Sequence, residues 1–217
     1  MKIKTLIAAL FLSTGMLMAQ DFSIKYAIKM SSSDPEVKAQ LGMLQNSTLE
    51  VLAAGNKSRT AMSMGGLMTT TTIIDADKGK GLMLLDGMMG RQAAKIDEIP
   101  AIEADESDIE IELIDETKKI LGYECKKAVI YGEDGTELIY WYTEKVKLKE
   151  GVLAQYVDNG VPGLPLQFVI QQPQITMEFT ASEFTEKVGK TKGQFDLSIP
   201  KDYKEVSIDD MKNIGGM

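Results

Sequence analysis

The 217-residue chain contains no histidine, and that gap removes much chemistry at once. Ser-His-Asp triads, Cys-His dyads and His-bearing zinc sites are all excluded. Cysteine occurs once, at Cys125, which rules out an internal disulfide and any thiolate metal cluster. The lone thiol reads as a small buried hydrophobe. A reactive one needs an adjacent base or cation, and on a strand Lys126 projects to the opposite face. Phosphate-cradling loops lack their signature, because neither G-x-x-x-x-G-K-[ST] nor G-x-G-x-x-G occurs. Ser198-Ile199-Pro200-Lys201 spells S-x-x-K, but Pro200 opposes the helix that would aim Ser at Lys. No metal and no cofactor is expected. Carboxylate chemistry alone stays open, since two acids suffice for glycoside hydrolysis. Aromatics for sugar stacking are scarce, however, and the acids cluster where exposure is expected. The chain is therefore read as a non-enzyme.

Residues 1–19 have the form of an export signal. Lys2 and Lys4 give a basic start, Leu6 to Leu12 a short apolar core, and Ala19-Gln20 a cleavage point. Ser13, Thr14 and Gly15 interrupt the apolar run too early for a membrane span. Cleavage would leave one domain, 20–217, periplasmic or secreted, with 22 basic against 32 acidic residues and a net charge of −10. Such a surface repels nucleic acid and anionic membrane, so neither is an expected partner. The acids concentrate in 97–116, where ten of twenty positions are Asp or Glu and none is Lys or Arg. Ile109, Ile111 and Leu113 alternate with Glu110 and Glu112 there, as in a strand. The part from Glu98 to Asp108 reads as a loop or lid. The belt is either a solvated face, an interaction surface or a cation site, although it lacks the Gly of an EF-hand loop.

The best-defined local unit is a hairpin over 117–143. Asp134-Gly135 is a turn pair flanked by β-branched and aromatic residues. A two-residue turn there predicts Val129 opposite Tyr140, Ala128 opposite Trp141 and Glu124 opposite Lys145. Apolar residues on both faces predict a place in the middle of a sheet.

Elsewhere, residues 22–30 alternate cleanly, with Phe22, Ile24, Tyr26 and Ile28 on one face and Lys25 and Lys29 on the other. Ser33-Asp34-Pro35 starts a helix running to about Leu44. Strands at 48–54, 57–64, 67–76, 80–85 and 89–96 follow, punctuated by Asn56-Lys57, Gly65-Gly66, Lys78-Gly79 and Asp86-Gly87. Further strands are read at 152–157, 164–171 and 175–184, and a weaker one at 187–192. A short helix closes the chain, capped by Ser207 with Asp210 three residues on and Val206 stapled to Met211. The fold class is β-dominated α+β, a sheet that must curl or be covered.

Methionine is abundant, with 14 copies. Met62, Met64 and Met68 flank one turn, and Met83, Met88 and Met89 another. Core filling, an adaptable apolar pocket and soft-metal capture are all compatible with such clusters. No M-x-x-M array supports copper.

The run Glu116-Thr117-Lys118-Lys119-Ile120-Leu121-Gly122-Tyr123-Glu124-Cys125-Lys126-Lys127-Ala128, then Trp141-Tyr142-Thr143, resembles a widespread family of exported bacterial proteins related to the LolA-like carriers of bacterial envelopes. Gly163-Leu164-Pro165-Leu166 and Phe195-Asp196-Leu197-Ser198-Ile199-Pro200-Lys201-Asp202-Tyr203 resemble it too. The resemblance implies a strongly curved antiparallel sheet, an unclosed barrel, with helices plugging the concave side. It also implies a cavity for acyl chains of lipids or lipoproteins. No functional residue is carried over. The expected lining, chosen from side-chain direction, is Met62, Met64, Met68, Met83, Leu85 and Trp141. The expected function is binding of a hydrophobic ligand, lipid or lipid-modified protein, as an envelope carrier or chaperone. The alternative is an interaction module acting through the acidic face.

Overall fold

A computed structural model describes residues 21–88, 90–98, 110–132, 136–146, 161–186, 188–189 and 191–214. The alternation of Phe22, Ile24, Tyr26 and Ile28 with polar residues becomes β1 (Phe22–Ser31), whose apolar side is buried. Ten antiparallel strands carry the sheet outward from it, five in each direction. On one side lie β2 (Ser47–Ala54), β3 (Lys57–Met64), β4 (Met68–Asp75), β5 (Lys80–Gly87) and β6 (Gly90–Ile96). The other side carries β11 (Thr176–Thr185), β10 (Leu164–Gln171), β9 (Glu137–Thr143), β8 (Tyr123–Tyr131) and β7 (Glu110–Ile120). A two-residue β12 (Lys204–Glu205) pairs parallel to β6, so the 12-stranded sheet is antiparallel except at that edge.

Chain connectivity requires this sheet to curl. β6 and β7 are consecutive in sequence but ten strand spacings apart in the sheet. Laid flat, ten spacings span about 48 Å. The fourteen residue steps from Ile96 to Glu110 reach about 48 Å only when fully extended. Curling, which strand twist favours in any case, relieves that tether. Side chains on one face duly converge over intervening strands. The Tyr26 hydroxyl reaches past β11 to donate to the Pro165 carbonyl at 2.8 Å. The Tyr26 and Phe168 rings meet edge-on at 5.5 Å, and Phe168 stacks on Phe179 at 4.3 Å. These rings anchor the main core, drawn from β1, β2 and β7 to β11. That face is the inner one.

Helix α1 (Pro35–Leu41) starts as expected: the Asp34 carboxylate accepts from the Glu36 and Val37 amides at 2.8 and 3.2 Å, and Pro35 stands in the first turn. One 3₁₀ turn, Gly42–Leu44, continues it. No residue of α1 or of that turn is buried, so α1 is not the plug that the family resemblance implies. That role falls to α2 (Ile208–Ile214). Its Ser207 cap accepts from the Asp210 amide at 3.1 Å and donates to the Asp210 carboxylate at 2.7 Å. Met211 is buried against Met83, Leu85 and Ala94, with Val206 in the same cluster.

The C-terminal segment clasps the β6 side from both faces. Phe195, Leu197, Ile199 and Tyr203 cover Ile73, Leu82 and Ala93 on the outer face. The chain then passes β6 as β12 and lays α2 on the inner face. S-x-x-K at 198–201 sits in this clasp and is not helical.

Three expectations fail. The hairpin register is one residue off: Val129 pairs with Ile139 and Ala128 with Tyr140. The Gly132 amide donates to the Thr136 carbonyl at 2.8 Å, which closes three residues rather than two. The turn residues 133–135 lie outside the described residues. With that shift Lys126 pairs with Glu144 at 3.0 Å, in place of Glu124 with Lys145. Second, the hairpin lies beside edge strand β7 rather than mid-sheet. Third, the described residues of 187–192 form no strand. The export signal, most of the 98–108 loop, Met89 and the 152–157 strand fall outside the described residues.

Candidate ligand-binding face

Antiparallel register places residues in rows across the sheet, and a row shares one face. One inner row runs Ala181, Tyr26, Leu49, Met62, Thr70, Leu85, Gln92. The next runs Phe184, Ile24, Val51, Thr60, Thr72, Met83, Ala94. Met64 pairs with Met68, two residues along from Met62 and Thr70. Met62, Met64, Met68, Met83 and Leu85 therefore all face inward. The sequence finds these five because period-two alternation fixes their direction once the strands are right.

They do not form one open lining. Met83 and Leu85 are buried beneath Met211. Met62, Met64 and Met68 are only half-buried. Between the two apolar clusters, Thr60, Thr70 and Thr72 stripe the inner face with hydroxyls. Ser58 Oγ and Gln92 Oε1, also on this face, are buried with no hydrogen-bond partner. A buried orphan acceptor costs about 1–3 kcal/mol, which a bound donor group would recover.

Between the β3–β4 and β5–β6 turns, at the rim of the sheet, lies a depression of about 520 Å³ lined by Leu67, Met68, Thr69, Asp86 and Met88; Met68 is in an inner row, Thr69 and Asp86 in an outer one. Met88 is 87% exposed, Met43 66% and Leu67 37%. Gly65 lets the Met43 backbone pack against the β3–β4 turn. Its φ of +57° suits the turn, and a Cβ at that position would lie 2.3 Å from the Met43 carbonyl oxygen. Ser47 fixes the approach, donating to the Leu44 carbonyl at 2.6 Å and accepting from the Gly65 amide at 3.0 Å. Leu67 was missed as a lining residue. It lies in no alternating run, and only the Gly65-Gly66 turn signal marks the place.

Trp141 does not belong to this face. It pairs with Gln167 and Lys127, in the row that also holds Thr180 and Ala27. Lys118 Nζ stands 3.9 Å above its ring and Lys127 Nζ 5.8 Å away. Lys118 also hydrogen-bonds Gln167. Gln167 Nε2 donates to Thr180 Oγ1 at 2.8 Å, and Thr180 donates to Glu178 at 3.1 Å. Burial pulls the Lys118 ammonium below its ordinary value, against the opposing pull of Glu178. The one-residue register error hid this, because it set Ala128 rather than Lys127 opposite the indole. Cys125 is buried, and burial pushes its thiol up.

Among the described residues no helix is long and apolar enough to cross a membrane. Residues 92–161 match a sequence family described as the N-terminal domain of N-glycanase peptide. No curated protein matches the sequence. Among solved structures, an uncharacterized conserved protein from Thermus thermophilus matches over 93% of this chain and 99% of its own, at 13% identity and a TM-score of 0.53. The MucA/MucB complex of Pseudomonas aeruginosa matches over 93% of this chain and 63% of that chain, at 12% identity and a TM-score of 0.51. PNGF-II matches at 18% identity and a TM-score of 0.49, over 90% of this chain and 33% of that one. The chain spans about a third of PNGF-II and nearly all of the Thermus protein. The Thermus and Pseudomonas structures share this chain's fold, the open curved sheet.

Proposed function

We propose that the protein is an exported, non-enzymatic binder of apolar ligands, a carrier or chaperone of the LolA-like kind. It holds a lipid or acyl chain along the inner face. The observation that carries this reading is the half-buried inner-face methionine run, Met62, Met64 and Met68, whose last member also lines the rim depression with Leu67 and Met88. Methionine's flexible thioether fits varied apolar shapes, and monomeric proteins rarely leave such side chains contiguous without use. The orphan acceptor Gln92 Oε1, in the row of Leu85 and Thr70, suits a ligand with a polar donor at one end. The export-signal form of residues 1–19 and the resemblance over 116–143 support an envelope location.

The test is extraction of purified protein with organic solvent, mass spectrometry of the extract, and titration with a fluorescent fatty acid. Met64→Asp and Met68→Asp should each weaken uptake about tenfold or more, from burying a charge against the acyl chain. Protein that is consistently empty and takes up no probe refutes the reading.

The match of 92–161 to an N-glycanase N-terminal domain favours a second reading, a module that accompanies glycan processing without performing it. Glycopeptide binding without glycan release, at unchanged fatty-acid uptake, would support it.

A further inference from the structure

The two edges of the sheet are treated differently. The β6 edge is closed by the chain itself. Beside β12, the Val206 amide donates to the Ala93 carbonyl at 2.9 Å, and Lys95 pairs with Glu205 at 2.9 Å. Arg91 binds Asp86 at 2.8 Å and also Asp202. The β7 edge, eleven residues long, pairs with no further strand among the described residues. An unpaired edge is a row of backbone donors and acceptors ready to bind another strand.

From the β7 edge, we infer that this strand is a docking site for an extended basic segment of another protein, bound by strand addition. β7 dictates that chemistry through its own alternation. Ile111 and Leu113 lie in the rows of Ile130 and Ala128 on the inner face, and Leu113 is 58% exposed at the rim. Glu112 lies on the other face, opposite Val129. An added strand would set an apolar side chain beside Leu113 and a cation beside Glu112. Glu112 and Asp115 are exposed and form no ion pair among the described residues; Glu112 accepts only from the Tyr131 hydroxyl, at 3.3 Å. Glu116, by contrast, is held by Lys127 at 3.1 Å. A second copy pairing antiparallel over Glu110–Ile114 would set Glu112 against its own copy and be repelled, because like charges opposite one another destabilise a strand pair. The bulge between Ile114 and Thr117 breaks β7 into two regular stretches, and the added strand is placed along the N-terminal one, Glu110–Ile114. Such a mode combines main-chain hydrogen bonds for affinity with alternate side chains for selectivity.

The test uses a fluorescein-labelled peptide of alternating lysine and valine, read by anisotropy with the full-length protein. Two controls accompany it: the same peptide with alternate backbone nitrogens methylated, and a glutamate-valine peptide. The unmodified lysine peptide should bind at least about tenfold tighter than either control. It should also protect β7 amides from hydrogen exchange. Glu112→Lys with Asp115→Lys should abolish binding; both side chains are exposed, and near-ultraviolet dichroism checks that the fold persists. Equal binding of the methylated peptide would mean charge attraction alone and would overturn the inference, as would protection elsewhere in the sheet. Fatty-acid uptake by the same double variant separates this site from the inner face, and it should be unchanged.

Discussion

Replacing Met211 with alanine tests how the inner face is closed. The side chain is 1% exposed and is the anchor of a seven-residue helix. Isolated helices of that length are marginal in water, so α2 owes its order to docking. Truncating a buried methionine to alanine costs about 2–5 kcal/mol. The site sits at the end of the chain, where the neighbouring side chains can partly collapse, so we take about 2–4 kcal/mol. The half-buried Val206 and Ile208 then hold the helix alone. The loss falls on local opening of α2 rather than on the main core, which lies across β1, β2 and β7 to β11.

At about 1.4 kcal/mol per tenfold, amides of 208–214 should exchange roughly 30- to 700-fold faster in Met211→Ala. Those of β1 and β10 should be unchanged. Hydrogen-exchange mass spectrometry of the C-terminal peptide reads this directly. Met83 and Leu85 would be uncovered, so fatty-acid uptake should rise rather than fall. Uniform acceleration across the whole sheet would show that α2 is part of the global cooperative unit and would refute the argument. An unchanged C-terminal peptide would show that Met211 contributes little to docking.

Three further outcomes follow from buried polar groups. Burial of Asp75 opposes its charge, but Lys57 at 3.0 Å and Lys78 at 3.3 Å outweigh that and hold its carboxyl below the usual value. Its contribution is therefore complete above the unfolded carboxyl value near pH 4 and is lost as pH falls through the lower folded value. Asp75→Asn should cost about 1–3 kcal/mol at pH 7 and flatten the acid limb of a urea-midpoint-against-pH plot; an unaltered limb would refute the role. Lys118 loses its proton more readily than an ordinary lysine because it is desolvated, so stability should rise with pH between its folded value and the unfolded one. Trp141 fluorescence should titrate in that alkaline window, and the transition should vanish in Lys118→Met. The Cys125 thiol should react with a disulfide reagent only at the rate of unfolding, since it is 0% exposed and burial raises its pKa; rapid native-state labelling would contradict its burial.

The strands were legible because one face of each is buried. Period-two alternation in 22–30 and the turn pairs at 56–57, 65–66, 78–79 and 86–87 fix β1 to β6 nearly to the residue. The caps at Asp34 and Ser207 were legible for a different reason: short polar side chains satisfy orphan helix amides locally, so three or four residues contain the whole signal. The order of strands was not legible. β11 pairs with β1 across more than 140 residues, and nothing local encodes so distant a partner. Nor was the division of labour between the helices. α1 has the better start signal but no buried side chain, while α2 is equally short and carries the fully buried Met211.

The failure at Trp141 shows what a register is worth. Asp134-Gly135 is a strong two-residue signal, but the closing hydrogen bond from Gly132 to Thr136 spans three residues. One residue of slip changes every cross-strand neighbour while leaving each strand's own alternation intact. The alternation of faces around Tyr131 and Leu138 therefore came out right and the cross-strand partners wrong, while the Leu121-Gly122 turn that divides β7 from β8 within 117–143 was not read. Trp141 moved from facing a small alanine to facing Lys127, with Lys118 above its ring at 3.9 Å. The five inner-face residues escaped this error because β3, β4 and β5 meet at tight glycine turns whose residue counts are fixed by positive φ at Gly65, Gly66 and Gly79. Register read from sequence is thus only as good as the turn that sets it, and here the sound turns are those that place the methionines.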